Sequence, residues 1–156
     1  TTVPVTSAAE MSAAVQSLVF DKDPQFDIII MAAAVADFMP ETPEAQKIKH
    51  GQIHQIALRE NVDILATLGA RRGDTHRPTL VGFAVETGDL NELLEELQRK
   101  LQSKRADLMI GNLAAEAFDL DTNRVWIVNK HGKREEVATT FKSRVANKIL
   151  DAVLKV

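Results

Sequence analysis

Apolar positions along the chain fall into two patterns: short unbroken runs, and stripes repeating every three or four residues. An unbroken run predicts a strand covered on both faces, because a strand with one wet face alternates apolar and polar side chains. Asp27 to Ala32, built on Ile28-Ile29-Ile30-Met31, is the first such run; Pro78 to Ala84 and Asp107 to Gly111 are the others. The stripes predict amphipathic helices. Ser7 and Glu10 are spaced as a capping box for a helix over Ala8 to Phe20. Asn61 is placed to cap a helix from Val62 to about Arg72. Asp89 and Glu92 form a second box, for a helix with Leu90, Leu93, Leu94, Leu97 and Leu101 on one stripe. A last helix after Thr140 carries Phe141, Val145, Ile149 and Val153 four residues apart.

Alternating segments complete the pattern. Thr2 to Thr6 reads as a short strand. Gln46 to Lys49 and Gln52 to Arg59 read as a hairpin or flap turning at His50-Gly51. Arg124 to Val128 and Glu136 to Ala138 read as strands around Lys130-His131-Gly132. Strands alternating with amphipathic helices imply right-handed βαβ units. The fold class is therefore α/β: a Rossmann-like, doubly wound, mostly parallel sheet with an antiparallel extension and a hairpin flap. Residues 1–156 form one domain, without repeats or a dividing linker.

Composition narrows the function. Apolar residues make up 45% and charged residues 26%, ordinary for a globular domain. A net charge of -3 and only six Phe and one Trp argue against nucleic-acid binding. The chain has no run long enough to span a bilayer and no signal-peptide pattern, so no membrane partner is expected and a cytoplasmic address is the default. Zero Cys excludes a thiolate metal site, and the four His lack metal-ligand spacing. There is no G-x-G-x-x-G and no Walker A sequence.

Ligands of open α/β sheets sit beyond the carboxyl ends of the strands. The first such end runs Met31-Ala32-Ala33-Ala34-Val35-Ala36-Asp37-Phe38. Small side chains there admit a flat ligand to the backbone, and Asp37 offers a carboxylate for a ribose hydroxyl or a divalent cation. The same residues read equally as a plain Ala-rich helix start with Asp37 solvated. At the second end Phe83 can stack on a base or fill core, and Glu86 with Thr87 can simply shape a turn. Lys47 and Lys49 alternate on the flap, where two ammonium groups suit a polyphosphate; solvated lysines on an edge strand are the bland alternative. Lys100 and Lys104 border the leucine stripe. A helix leaving the ligand end carries its far end roughly 20 Å away, which makes a ligand role for them awkward.

Taken in order, Ala-Ala-Val-Ala-Asp-Phe, the ten-residue step to Lys47-Ile48-Lys49, Asn61-Val62-Asp63-Ile64, Val81-Gly82-Phe83-Ala84-Val85-Glu86-Thr87, Lys100…Lys104…Asp107-Leu108…Asn112 and Phe118-Asp119-Leu120-Asp121-Thr122-Asn123 resemble phosphopantothenoylcysteine synthetases over nearly the whole chain. Each motif is weak alone; their joint order is specific. The resemblance implies a ligase that activates 4′-phosphopantothenate with CTP and Mg²⁺ as an acyl-cytidylate, which cysteine then attacks in coenzyme A biosynthesis. It implies that the backbone of Met31, Ala32 and Ala33 reads cytosine and that Asp37 meets the nucleotide or Mg²⁺. It makes Lys47 the catalytic flap lysine, with Lys49 a further phosphate contact. Val62, Asp63, Ile64 and Leu65 would offer helix N-terminal N–H groups to an anion, and Phe83, Lys100 and Lys104 would complete the pocket. It further implies a homodimer with sites near the interface, one route for Lys100 and Lys104 to a ligand. Fusion to a flavin-dependent decarboxylase is common in the family; no flavin is expected in this part.

Three departures matter. Family members usually carry Lys where His50 stands, and often Pro where Val62 stands, a milder change at a helix start. The family's Gly-rich first unit, with an Asn acting on the acyl-cytidylate, is expected ahead of Thr1, so these residues alone are expected to bind nucleotide with little turnover. The competing readings are a non-catalytic Rossmann-like nucleotide-binding or interaction module, and an oxidoreductase supported only by fold analogy.

Overall fold

A computed structural model describes residues 1–21, 26–42, 44, 46–49, 51, 55–116 and 120–156. In chain order the elements are α1 (Ala8–Phe20), β1 (Ile28–Met31), β2 (Phe38–Pro40), β3 (Leu58–Glu60), α2 (Ile64–Arg72), β4 (Thr79–Glu86), α3 (Leu90–Ser103), β5 (Leu108–Leu113), a 3-10 turn (Ala114–Glu116), β6 (Thr122–Asn129), β7 (Arg134–Phe141) and α4 (Lys142–Val153). They fold as two units, Thr1–Asp23 with Ala33–Ile64, and Pro24–Ala32 with Leu65–Val156.

The larger unit holds a five-stranded sheet in the order β1-β4-β5-β6-β7. β1, β4 and β5 run parallel, and β6 and β7 add the antiparallel extension. Alternation along each strand, carried across by the register, sorts the side chains onto two faces. On one face Val81, Leu108, Ile110, Val125, Ile127 and Val137 pack with Val145, Ile149, Ala152 and Val153 of α4. The other face is covered by α2 and α3. A Cβ built on Gly82 would lie 2.4 Å from Leu65 of α2, and one on Gly111 would lie 2.6 Å from Leu97 of α3. Helices on both faces make the sheet doubly wound, as the alternation of runs and stripes implies. β1, however, stands at the sheet edge, and Ile30 is 41% exposed. An unbroken apolar run therefore did not mean burial on both faces here.

The second capping box is formed as expected: Asp89 accepts the N–H groups of Asn91 and Glu92, and Glu92 accepts that of Asp89. Leu93, Leu97 and Leu101 carry the buried stripe. Between α2 and α3 the backbones nearly touch. A Cβ on Gly69 would lie 2.0 Å from the carbonyl oxygen of Lys104. Helix propensity alone would favour alanine at this position by about 1 kcal/mol. The clash is with backbone and cannot be relieved by a rotamer, so Gly69→Ala is expected to destabilise by about 2 kcal/mol or more. Urea unfolding checks this; an unchanged or raised midpoint would show that the helices do not approach so closely.

At the amino ends of β4 and β5, Asp107 is buried, with a side chain 3% exposed. Its Oδ2 accepts from Arg72 and from the Leu80 N–H at 2.8 Å, and its Oδ1 accepts from Lys130 at 2.8 Å. Arg72 also donates to the carbonyls of Pro78 and Arg105. One carboxylate thus ties the end of α2, the starts of β4 and β5, and the β6–β7 turn. Burial pushes its pKa up, but the bonds from Lys130, Leu80 and Arg72 outweigh it, and the carboxyl sits below the ordinary value.

In the smaller unit, Ser7 Oγ accepts the Glu10 N–H at 3.2 Å and starts α1. Thr2 to Thr6 forms no strand. Pro4 lacks a donor, and Thr6 gives both its N–H and its hydroxyl to the Glu10 carboxylate at 2.7 Å, bonds that serve the helix end. The flap also departs from expectation. Its paired strands are Phe38–Pro40 and Leu58–Glu60, extended by the Glu41 N–H to Ala57 carbonyl bond of 3.0 Å. Residues 46–49 are outside any strand, while Gly51 has the turn φ of +82°. His50 and residues 52–54, part of the expected hairpin, lie outside the described residues, as do Phe118 and Asp119.

Candidate functional site

In the smaller unit the structure brings two of the motif segments together. The Asn61 N–H bonds the Asp37 carbonyl at 2.7 Å, and the Asn61 Nδ2 bonds the Ala36 carbonyl at 3.0 Å. Asn61 is therefore a clip between the Ala-rich loop and the entry to α2. It does not cap a helix at Val62, and α2 begins at Ile64. The clip leaves Ala33, Asp37, Val62 and Asp63 exposed on adjoining backbone. The first turn of α2 holds no acidic side chain, while Arg71 and Arg72 occupy its last turn. The first of these leaves the amino end of the helix open to an anion. Lys47 and Lys49 are exposed on the excursion between β2 and β3, beyond the paired base of the flap.

In the larger unit Met31 ends β1 and is half-buried, with Ala32 exposed beside it. Leu65 lies against Gly82 at the same level of the sheet, since Met31 and Gly82 are register partners. Phe83 is 36% exposed and points to the α4 face, opposite to Gly82 and Glu86. It is therefore only partly buried.

Lys100 forms two ion pairs. Its Nζ lies 3.1 Å from Glu86, the last residue of β4, and 3.2 Å from Glu96, one turn back on α3. It thus reaches the carboxyl end of β4. Arg99 donates to both oxygens of Glu96 at 2.6 Å, sharing Oε1 with Lys100. The Arg99 bond, opposed by partial burial and helped by Lys100, holds the Glu96 carboxyl at about 2. Lys104 is placed differently: it ends α3 with its carbonyl against Gly69, on the side where Arg105 and Asp107 lead into β5. Sequence patterns gave Glu86 no role beyond a turn; its pairing with Lys100, fourteen residues on, comes from the packing of α3 on the sheet.

Among the described residues no group of three or more His, Cys, Asp or Glu could form a metal cage. Asp37 offers one exposed carboxylate, which by itself makes no metal cage. No helix in the described residues is long and apolar enough to cross a membrane.

Comparison with known proteins gives a consistent picture. The family model described as the DNA/pantothenate metabolism flavoprotein C-terminal domain matches residues 1–156. The Coenzyme A biosynthesis bifunctional protein CoaBC of Mycolicibacterium smegmatis is 37% identical over 138 residues, 83% of this chain and 33% of that protein. The CoaBC protein of Bacillus subtilis is 37% identical over 155 residues, 97% of this chain and 36% of that protein. A crystal structure of the C-terminal domain of a CoaBC protein superposes with a TM-score of 0.72 at 33% identity, covering 98% of this chain and 64% of that one. The chain spans about a third of the length of these curated relatives.

Proposed function

Because the chain belongs to the DNA/pantothenate metabolism flavoprotein C-terminal domain family, we propose that it is the CTP-binding part of a phosphopantothenate–cysteine ligase. The observation that carries this reading is the Asn61 clip, which joins the Ala-Asp loop to the start of α2. Within the smaller unit the reading gives the exposed backbone of Ala33 to cytosine and Asp37 to ribose or phosphate-bound Mg²⁺; the roles of Ala32 for cytosine and of the amino end of α2 for phosphate rest on the family resemblance. Lys47 sits on the excursion as a cation for departing pyrophosphate, with Lys49 beside it, and Lys100 adds a cation at the end of β4. Phe83 and Lys104 complete the proposed contact set. A homodimer and fusion to a flavin-dependent decarboxylase belong to the same reading.

The reaction balances as 4′-phosphopantothenate plus CTP giving acyl-cytidylate and pyrophosphate, then cysteine amine displacing CMP to form the amide. The catalytic task is to neutralise charge on the leaving pyrophosphate. The test is product analysis with the full-length gene product. The reading requires amide, CMP and pyrophosphate in equal amounts; amide formed without CTP, or none formed with all three substrates, contradicts it.

A further inference from the structure

We propose that Glu86 is a positioning residue, which together with Glu96 holds the Lys100 ammonium at the carboxyl end of β4 for an incoming nucleotide. The proposal rests on the nucleotide reading above and adds to it a group outside the expected contact set.

A lysine carries a long stem with considerable rotamer entropy, so a free one is a poor anchor for a phosphate or a sugar. Lys100 is not free. Its ammonium bridges Glu86 Oε1 at 3.1 Å and Glu96 Oε1 at 3.2 Å, from a strand and a helix at once. An ammonium has three N–H donors. The two carboxylates use two, and the third remains for a ligand. Charge is also balanced: Arg99 bonds both oxygens of Glu96, so two cations face two carboxylates. Glu96 thereby remains a fixed anion, and Lys100 is aimed without being over-neutralised. Both carboxylates are partly buried, with side chains 30% and 25% exposed, which keeps the bridge from being a mobile surface pair. The bridge also explains how a lysine far along α3 can serve the ligand end.

The experiment is a double-mutant cycle on CTP affinity, measured by calorimetry on this chain, with thermal midpoints recorded for every variant. Glu86→Ala is expected to weaken CTP binding about fivefold, in line with loss of one charge-assisted contact. Glu86→Gln keeps an oxygen at the same reach and is expected to recover most of that loss. In a Lys100→Ala background, Glu86→Ala is expected to change nothing further. Unaltered binding by Glu86→Ala overturns the proposal, and so does an equal loss in the Lys100→Ala background, which would mean Glu86 acts by another route. Absence of CTP binding by the unsubstituted chain would instead overturn the nucleotide reading, and the proposal with it.

Discussion

Asp107→Ala is expected to lower the thermal midpoint by roughly 10 °C, a loss of about 3–5 kcal/mol. The substitution removes the acceptor for Arg72, whose side chain is 7% exposed, and for Lys130, and it frees the Leu80 N–H. A buried cation left without its carboxylate costs far more than a surface pair would. Asp107→Asn keeps the shape and separates charge from packing. Because the Asp107 pKa is lowered by folding, its stabilisation is complete above the unfolded value of about 3.9 and fades as pH falls through the folded value. The stability gap between the protein and Asp107→Asn is therefore expected to shrink on acidification below about pH 4. Calorimetric midpoints across pH measure it. A pH-independent gap would mean the carboxylate charge is not what ties these elements.

Lys47→Ala is expected to lower kcat of the ligase reaction of the full-length gene product by about a hundredfold or more, the scale for removing one preorganised charge from a transition state. Lys49→Ala is expected to cost less than about tenfold. The argument is positional: Lys47 is exposed beyond the paired base of the flap, where it can meet departing pyrophosphate without first breaking a packed core. Its effect should fall on kcat and leave the KM for CTP nearly unchanged, since the contact matters most as charge develops. Pyrophosphate release kinetics read both constants; a variant that raises KM at constant kcat would make Lys47 a ground-state contact.

The elements with long periods were readable in advance. α3 is specified by its capping box and its leucine stripe, and β4 and β5 by unbroken apolar runs bounded by turns. The five-stranded sheet with its antiparallel end follows from them. What could not be read was anything decided by a distant partner. Asn61 has the right residue type for a local cap, yet its amide is used by a carbonyl 25 residues earlier. The flap strands are three residues each, too short for a period to show, and pairing Phe38–Pro40 with Leu58–Glu60 is a tertiary choice. Thr6 looked extended but serves Glu10. The candidate site divides the same way. Asp37, Lys47 and Phe83 became candidates through motif order, whereas the Glu86–Lys100 bridge depends on how α3 crosses the sheet, which no spacing encodes. For Lys104 the spacing suggested a partner to Lys100; what the fold adds is that its backbone carbonyl closes α3 against α2 at Gly69.

The most direct test of a nucleotide site in this chain is a calorimetric titration with CTP in the presence of Mg²⁺, with ATP as control and thermal midpoints measured alongside. The family resemblance leads us to expect saturable heat with CTP, a midpoint that rises with CTP concentration by mass action, and a response to ATP at least about tenfold weaker. No CTP-dependent heat and no rise in midpoint would contradict the account, and an equal response to ATP would contradict its choice of base.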